Sequence, residues 1–251
     1  MKTNLLAFDA RLFLLAIPII VFRKRVGLSH LVRLLPGIKL QKGYVLECVQ
    51  FDDRVDDEFD ILGAWYELYV RDVNKEPIPN NRVHEYRGVG KLISEVDGYF
   101  EIWDKLDVEP TEKGIWSAFL LSITWHFLPL FWHAGYAQIK IITNANRLPK
   151  IAGINRKDIE ANKVEVQDRN RRYGFGSIND VKKLVELRGD KSLLPSVTIV
   201  DCNHASLKYS YWSEWGGLCR ETVPIELHKG KINFLEVSTE NLVSYDCGIK
   251  Y

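Results

Sequence analysis

The stretch from Gly114 to Ile139 contains no formally charged residue, and this feature constrains the fold of the chain more than any other. A second apolar run covers residues 12–22 and ends at a basic triplet. Uncharged segments rich in Trp and Phe are typical of membrane interfaces and of protein contact surfaces. Both segments therefore predict contact with a membrane or a partner, and the residues expected to make it are Phe13, Ile17, Phe22, Arg23, Lys24, Arg25, Trp116, Trp125, Phe131 and Trp132.

The first apolar run is too short to cross a bilayer. A spanning helix needs about 20 apolar residues, whereas this run lies between Arg11 and Arg23. We expect an interfacial or re-entrant segment here. We expect no cleavable signal peptide, because the basic residues follow the apolar run instead of preceding it.

Residues 1–40 are predicted to form a membrane-associated arm. Beyond the basic triplet an amphipathic helix is indicated, because one helical face gathers Leu28, Leu31, Val32 and Leu35. Such a helix beside basic residues fits a surface that lies on anionic lipid. An N-terminal helix packed on its own domain is the alternative.

The 114–139 segment is long enough for a transmembrane helix, but the charge pattern favours a segment that does not span. Both the basic triplet and the basic residues after Ile139 favour a cytoplasmic position for the chain that follows them, and one crossing cannot satisfy both. We therefore expect a re-entrant or interfacial excursion, with the bulk of the protein on the cytoplasmic side. A transmembrane helix is the alternative.

The composition bounds the class of protein. The 251 residues are 46% apolar, which supports a real core and excludes wholesale disorder. A formal net charge of +1 argues against a dedicated nucleic-acid binder. Cys48, Cys202, Cys219 and Cys247 lack the spacing of zinc or thioredoxin-like motifs, so we expect mostly free, buried thiols and no metal or other cofactor.

The clearest strand pattern lies in residues 63–104. The alternation from Trp65 to Arg71 predicts a strand, and the residues at 72–80 are typical of a turn. Asp97-Gly98 then predicts a hairpin turn before a strand at Tyr99–Trp103.

Two parts of this region resemble a known family. The pattern Val-x-Asp-x-x-x-x-Pro-Ile-Pro-Asn-x-x-Val, followed by Asp-Gly-Tyr-Phe-Glu-Ile, resembles the transthyretin-like, carboxypeptidase-regulatory-like β-sandwich module. The Gly135-Tyr136 pair and the following strand at Ile139–Thr143 resemble the end of the same module. The resemblance covers residues 62–145. It implies a sandwich within residues 41–150, interrupted by an apolar insertion at 114–136, with a scaffold or binding role and no active site.

A second resemblance is confined to the N-terminus. Phe8-Asp9-Ala10-Arg11, the apolar run with its proline, and Arg33-Leu34-Leu35 resemble the small IcmT/TraK-like membrane proteins of type IVB secretion. This resemblance implies a component of a secretion assembly.

Residues 151–251 are predicted to form a separate α+β region. One helix is indicated at 156–172, and a second begins at the Ser177 cap and stops at Gly189. A hairpin turn is expected at 228–230. Strands are predicted at Ser196–Val200, Leu207–Trp212, Thr222–Leu227, Lys231–Val237 and Leu242–Tyr251.

Three constellations suggest catalytic or metal chemistry. The acidic run at 52–60 could hold a hard cation, but it lacks the alternating ligands of a calcium loop, so a solvated loop is favoured. Cys202 with His204 suggests a nucleophile pair, yet a strand end and turn is favoured. His126 and His133 would lie about 10 Å apart on a helix, which favours an interfacial stripe over a shared metal.

An aromatic cluster is a candidate for binding a partner, since such residues often anchor protein contacts. It comprises Tyr209, Tyr211, Trp212 and Trp215. Filling of a β core is an equally good interpretation of these residues.

The sequence thus predicts a mainly β protein with some helix: an arm at 1–40, a sandwich at 41–150 and an α+β region at 151–251. We expect a non-enzymatic, membrane-associated structural or binding component of a larger assembly. Its expected partners are protein subunits and membrane lipid, without nucleic acid. The alternatives are a metal-dependent hydrolase using residues 52–60 with His84 or His204, a type IV secretion component, and an immunity-type inhibitor.

Overall fold

The computed structural model describes residues 26–27, 32, 35–52, 64–77, 97–126, 139–154, 165–167 and 173–248. The protein is mainly β with some helix, as predicted. Its helices are α1 (Ile102–Lys105), α2 (Glu112–His126), α3 (Leu148–Ile151) and α4 (Ile178–Glu186). Its strands are β1 (Val26–Gly27), β2 (Ile38–Leu40), β3 (Tyr44–Asp52), β4 (Ala64–Asp72), β5 (Tyr99–Phe100), β6 (Leu106–Val108), β7 (Lys140–Ile141), β8 (Gly174–Phe175), β9 (Ser196–Ile199), β10 (His204–Ser213), β11 (Gly217–His228), β12 (Lys231–Phe234), β13 (Ser238–Val243) and β14 (Tyr245–Asp246).

The chain divides into two compact units. Unit 1 takes its described residues from Met1–Phe131, Asp201–Asn203 and Glu226–Asn233. Unit 2 takes them from Trp132–Val200, His204–Ile225 and Phe234–Tyr251. The described residues of the predicted arm, and most of those of the predicted sandwich region, therefore fall in one unit.

Unit 1 is built on an antiparallel sheet in the order β1-β3-β4-β5. The long pair β3–β4 runs in register from Tyr44 opposite Asp72 to Asp52 opposite Ala64, which confirms the strand predicted from the alternation at Trp65–Arg71. Arg71 crosses this pair to reach Glu47, and its Nε and Nη2 donate to Glu47 Oε1 at 2.9 and 2.7 Å. Both side chains are nearly buried, so the ion pair lies out of water.

Helix α2 forms part of the core of unit 1. Every residue from Gly114 to Leu121 is buried, so this part of the helix is enclosed on all sides instead of showing one apolar face. Its first turn approaches Gly37 closely, because a Cβ on Gly37 would lie 2.6 Å from the Cα of Gly114. The uncharged character of this part of the 114–139 segment thus serves burial within the protein. Among the described residues, no helix combines the length and apolar character needed to cross a membrane.

The turn between β11 and β12 also belongs to unit 1 and confirms the hairpin predicted at 228–230. Lys229 and Gly230 take positive φ values of 49° and 81°. Gly230 O accepts a hydrogen bond from Val108 N at 2.7 Å. Lys231 Nζ then donates to the main-chain oxygens of Trp103, Asp104 and Leu106 at the end of α1, at 3.1, 2.7 and 3.2 Å.

Unit 2 contains a sheet in which β10 pairs with β7 and β9, and β11 pairs with β13. Helix α4 begins as predicted, because Ser177 Oγ accepts a hydrogen bond from Asp180 N and donates one to Asp180 Oδ2. The helix covers one side of the unit with its buried Val181 and Leu184. The core comprises Ile142, Ala145, Leu148, Phe175, Val181, Leu184, Leu193, Trp212, Leu218, Leu242 and Val243.

Four local predictions differ from the structure. The single strand expected at Leu242–Tyr251 is instead, in its described part, the end of β13 followed by the short strand β14. The strand expected to continue to Trp103 ends at Phe100, and α1 begins at Ile102. The strand at Lys140–Ile141, expected to belong with Tyr99–Phe100 to one module, instead pairs with β10 in unit 2. The helix expected across 156–172 is absent from its described part, where Val166 forms a parallel bridge with Phe175.

Candidate functional site

Most residues predicted to contact a membrane or partner lie outside the described part of the chain. This holds for Phe13, Ile17, Phe22, Arg23, Lys24, Arg25, Phe131, Trp132 and the side chain of Trp125. Just beyond the basic triplet, β1 pairs with β3. Val32 and Leu35, from the predicted amphipathic face, are buried in unit 1. The described end of the predicted arm is therefore part of a folded unit.

Trp116 is the one member of this set whose side chain the structure describes. It is only 4% exposed, and its ring packs on Phe119 with the centroids 5.4 Å apart. A side chain enclosed in this way fits a core residue of unit 1 better than a contact with lipid or a partner.

The aromatic cluster on β10 divides between the two faces of the sheet. Successive side chains of a strand point to opposite faces, so Tyr209 and Tyr211 share one face and Trp212 occupies the other. Trp212 is completely buried in the core of unit 2, with ring centroids 6.1 Å from Phe175 and 5.1 Å from Tyr245. Trp215 lies in the turn after β10 and is 37% exposed. Trp212 therefore fills the β core, whereas the exposed Trp215 fits the interpretation as a partner contact.

A shared carboxylate joins the two tyrosines. Tyr211 OH donates to Glu221 Oε1 at 2.9 Å, and Tyr209 OH donates to Glu221 Oε2. The two rings lie 5.9 Å apart between centroids, tilted by 32°. Glu221 and Tyr211 are half-buried, whereas Tyr209 is only 4% exposed. The carboxylate is thus held at the margin of a buried face.

Cys219 and Asn241 extend this group across the next strand pair. They are register partners in β11 and β13, and Asn241 Nδ2 donates to Gly216 O at 2.6 Å and lies 3.6 Å from Cys219 Sγ. We call Tyr209, Tyr211, Cys219, Glu221 and Asn241 together the tyrosine–glutamate patch. Gly216 and the exposed Trp215 belong to the turn that joins β10 to β11.

Burial and the charge of Glu221 together set the protonation of the patch. The pKa values of Tyr209 and Tyr211 are raised chiefly by burial. The hydrogen bond to Glu221 and the negative charge of Glu221 raise them further. Burial also raises the pKa of the Cys219 thiol, and hydrogen bonds from Asn241 and Tyr211 oppose this only in part. The phenols and the thiol therefore stay protonated near neutral pH. A protonated thiol is a poor nucleophile.

No Lys, Arg or His of the described residues forms an ion pair with Glu221. The neighbouring Arg220 makes its contacts elsewhere, with Ser192 Oγ at 3.0 Å and Glu240 Oε2 at 3.4 Å. Glu221 is thus a half-buried anion whose two bonds come from neutral phenols.

The other constellations contribute less to a site. Of the acidic run at 52–60, only Asp52 lies within the described residues, and His84 and His133 lie outside them. Cys202 and Asn203 form a bend and His204 begins β10, which agrees with the interpretation as a strand end. Cys202, Cys219 and Cys247 are free thiols, as expected, although only Cys219 is buried. The described part of the chain holds no group of three or more metal-binding side chains.

Sequence reasoning found the tyrosines of this patch but missed Cys219, Glu221 and Asn241. The predicted strand began at Thr222, one residue after Glu221, whereas β11 extends back to Gly217. The available signal was alternation, since Cys219, Glu221 and Val223 occupy one face of β11.

Comparison with known proteins found no matching family, no matching curated protein and no matching solved structure.

Proposed function

We propose that the protein is a non-enzymatic binding component of a larger protein assembly, and that unit 2 contacts a protein partner through the tyrosine–glutamate patch. The observation that carries this proposal is the half-buried Glu221 carboxylate, which two phenols hold in place and no described cation neutralises. Tyrosine and tryptophan are enriched where proteins bind one another. Tyr211 and Trp215, which are partly exposed, lie near the turn that joins β10 to β11.

The resemblance to transthyretin-like modules supports the same class of function, since that family is mostly non-catalytic, which implies a scaffold or binding role. In this proposal unit 1 supplies a structural platform. Of the residues that carry the resemblance, the end of β4, the Asp97-Gly98 turn and β5 lie in the described part of this unit.

The test is affinity purification of the full-length protein from its native extract, with mass spectrometry of the co-purifying proteins. The patch variant combines Tyr211→Ser with Glu221→Gln. The control is Glu226→Gln, an exposed glutamate on the other face of β11. A stoichiometric partner should accompany the wild type and the control and be lost from the patch variant, provided that circular dichroism shows a folded protein. Absence of such a partner, or its retention by the patch variant, contradicts the proposal.

We also propose that the N-terminal arm holds the protein at a membrane, with the bulk on the cytoplasmic side. The apolar run at 12–22 and the triplet Arg23, Lys24 and Arg25 motivate this. Because β1 pairs with β3, a deletion that tests the arm should end before Val26. Removing residues 1–22 should release the protein from membranes in flotation assays, and replacing the triplet by glutamines should weaken binding to anionic vesicles. Full-length protein that stays soluble without detergent contradicts this role.

A further inference from the structure

We infer that the tyrosine–glutamate patch receives an arginine side chain from a basic segment of a protein partner. This inference rests on the proposed function and specifies the chemistry of the partner. It follows from the charge, the aromatic surface and the free acceptor positions of the patch.

The first argument is charge complementarity. A carboxylate offers about four lone-pair positions, and the phenols of Tyr209 and Tyr211 occupy one on each oxygen. Each oxygen therefore keeps acceptor capacity. A half-buried charge is screened less than an exposed one, so an arriving cation gains more there than on the open surface.

The second argument is the aromatic surface beside this charge. Tyr211 is only half-buried and lies next to the Glu221 carboxylate. A cation over a tyrosine face gains about 0.5–1 kcal/mol at exposed sites and more when it is desolvated. The amide oxygen of Asn241 adds a further acceptor, because among the described residues only its Nδ2 is engaged.

The third argument distinguishes arginine from other cations. A hard metal ion needs several oxygen ligands, commonly including more than one carboxylate, whereas the phenols here donate their protons to Glu221 and the patch holds one anion. A lysine ammonium is strongly hydrated and compact. A guanidinium is more weakly hydrated, stacks on aromatic rings and presents several donors in one plane. A guanidinium can therefore bond the Glu221 carboxylate while its plane lies against an aromatic ring such as that of Tyr211, which is hydrogen-bonded to Glu221.

The experiment titrates full-length protein, labelled with carbon-13 in its tyrosine rings, with the peptide acetyl-Gly-Arg-Gly-amide. The same peptide carrying citrulline, the neutral isostere of arginine, is the reference. The Tyr211 ring signals should shift saturably with the arginine peptide only, and the affinity should fall as salt rises. Glu221→Gln should weaken binding about tenfold or more, and Glu226→Gln should bind as the wild type does.

Equal shifts with both peptides, or unchanged binding by Glu221→Gln, overturn the inference. If Glu221→Gln does not fold, Tyr211→Phe replaces it: this variant keeps the ring and frees a lone pair of Glu221, so selective arginine binding should persist, and its loss overturns the inference. The outcomes separate the two proposals. If the patch variant loses the native partner but the patch does not prefer arginine to citrulline, the proposed function stands and the inference fails. If the patch prefers arginine but the patch variant keeps the partner, only the proposed function is contradicted.

Discussion

Tyr211 donates its phenol proton to Glu221 Oε1 at 2.9 Å, which joins an aromatic residue of β10 to the one half-buried carboxylate of the patch. The bond also links the protonation of Tyr211 to the charge of Glu221, so the stability of the protein should depend on pH through this pair.

We expect the protein to lose stability as the pH rises above about 10. The ordinary tyrosine pKa is 10.0, and burial with the bond to Glu221 raises that of folded Tyr211 above it. Above pH 10 the unfolded chain releases the Tyr211 proton while the folded protein keeps it. The contribution of Tyr211 to the free energy of unfolding is therefore complete below pH 10 and is lost as the pH rises toward the folded pKa. Urea unfolding at several pH values should show a shallower alkaline decline for Tyr211→Phe. Parallel curves for the two proteins would contradict this.

Arg71→Met should strongly destabilise unit 1. It leaves the nearly buried Glu47 carboxylate without its guanidinium partner, and breaking a buried pair in this way costs about 3–5 kcal/mol. The double variant with Glu47→Met should recover much of the loss, since neither position of the pair then carries a charge. The control is Lys39→Met, which breaks an exposed pair with Glu109 and should change little. Unfolding free energies from denaturant titration decide this, and a mild effect of Arg71→Met would argue against a buried pair.

Ser210→Ala should stabilise the protein. The Ser210 hydroxyl is completely buried, and it has no hydrogen-bond partner in the described part of the chain. An unsatisfied buried polar group costs about 1–3 kcal/mol, so removing it should raise the free energy of unfolding by about 1 kcal/mol. Ser213→Ala on the same strand should not, because Ser213 Oγ accepts a bond from Trp215 N at 3.2 Å. A lower melting temperature for Ser210→Ala would disprove this expectation.

Gly98→Val should lower the stability of unit 1 by more than about 1 kcal/mol. Gly98 has φ of +85°, a conformation that β-branched residues adopt poorly, and an added Cβ would meet the Lys75 side chain. Gly43→Val is the matched control, since Gly43 has φ of +90° and nothing within 4 Å of an added Cβ. Thermal melts should show losses for both variants and a larger one for Gly98→Val. An unchanged melt for Gly98→Val would contradict the turn.

The local patterns of the sequence predicted the elements of the described fold well where the signal lies in neighbouring residues. The Ser177 cap, the strand at β4 and the turn at 228–230 are all confirmed. Each depends on interactions within a few positions, such as a side chain bonding the next helical turn or alternation between two faces. The mainly β class follows from the same local signals.

The candidate site could be predicted only in part. The aromatic run indicated Tyr209 and Tyr211, but nothing near them in the sequence predicts Glu221 as their shared acceptor or Asn241 as the neighbour of Cys219. Those contacts depend on which strands pair and in which register, and that is settled by packing of the sheet as a whole.

The sequence by itself determined where many of the strands, caps and turns form. It also determined that residues 114–121 must be removed from water. The tertiary structure alone decided that this apolar stretch is buried within unit 1 and that β7 pairs with β10. It also decided that Glu221 lies between two phenols. The physical reason is that apolar character specifies removal from water without specifying by what, whereas the partner that covers a surface is chosen by contacts between residues far apart in the chain.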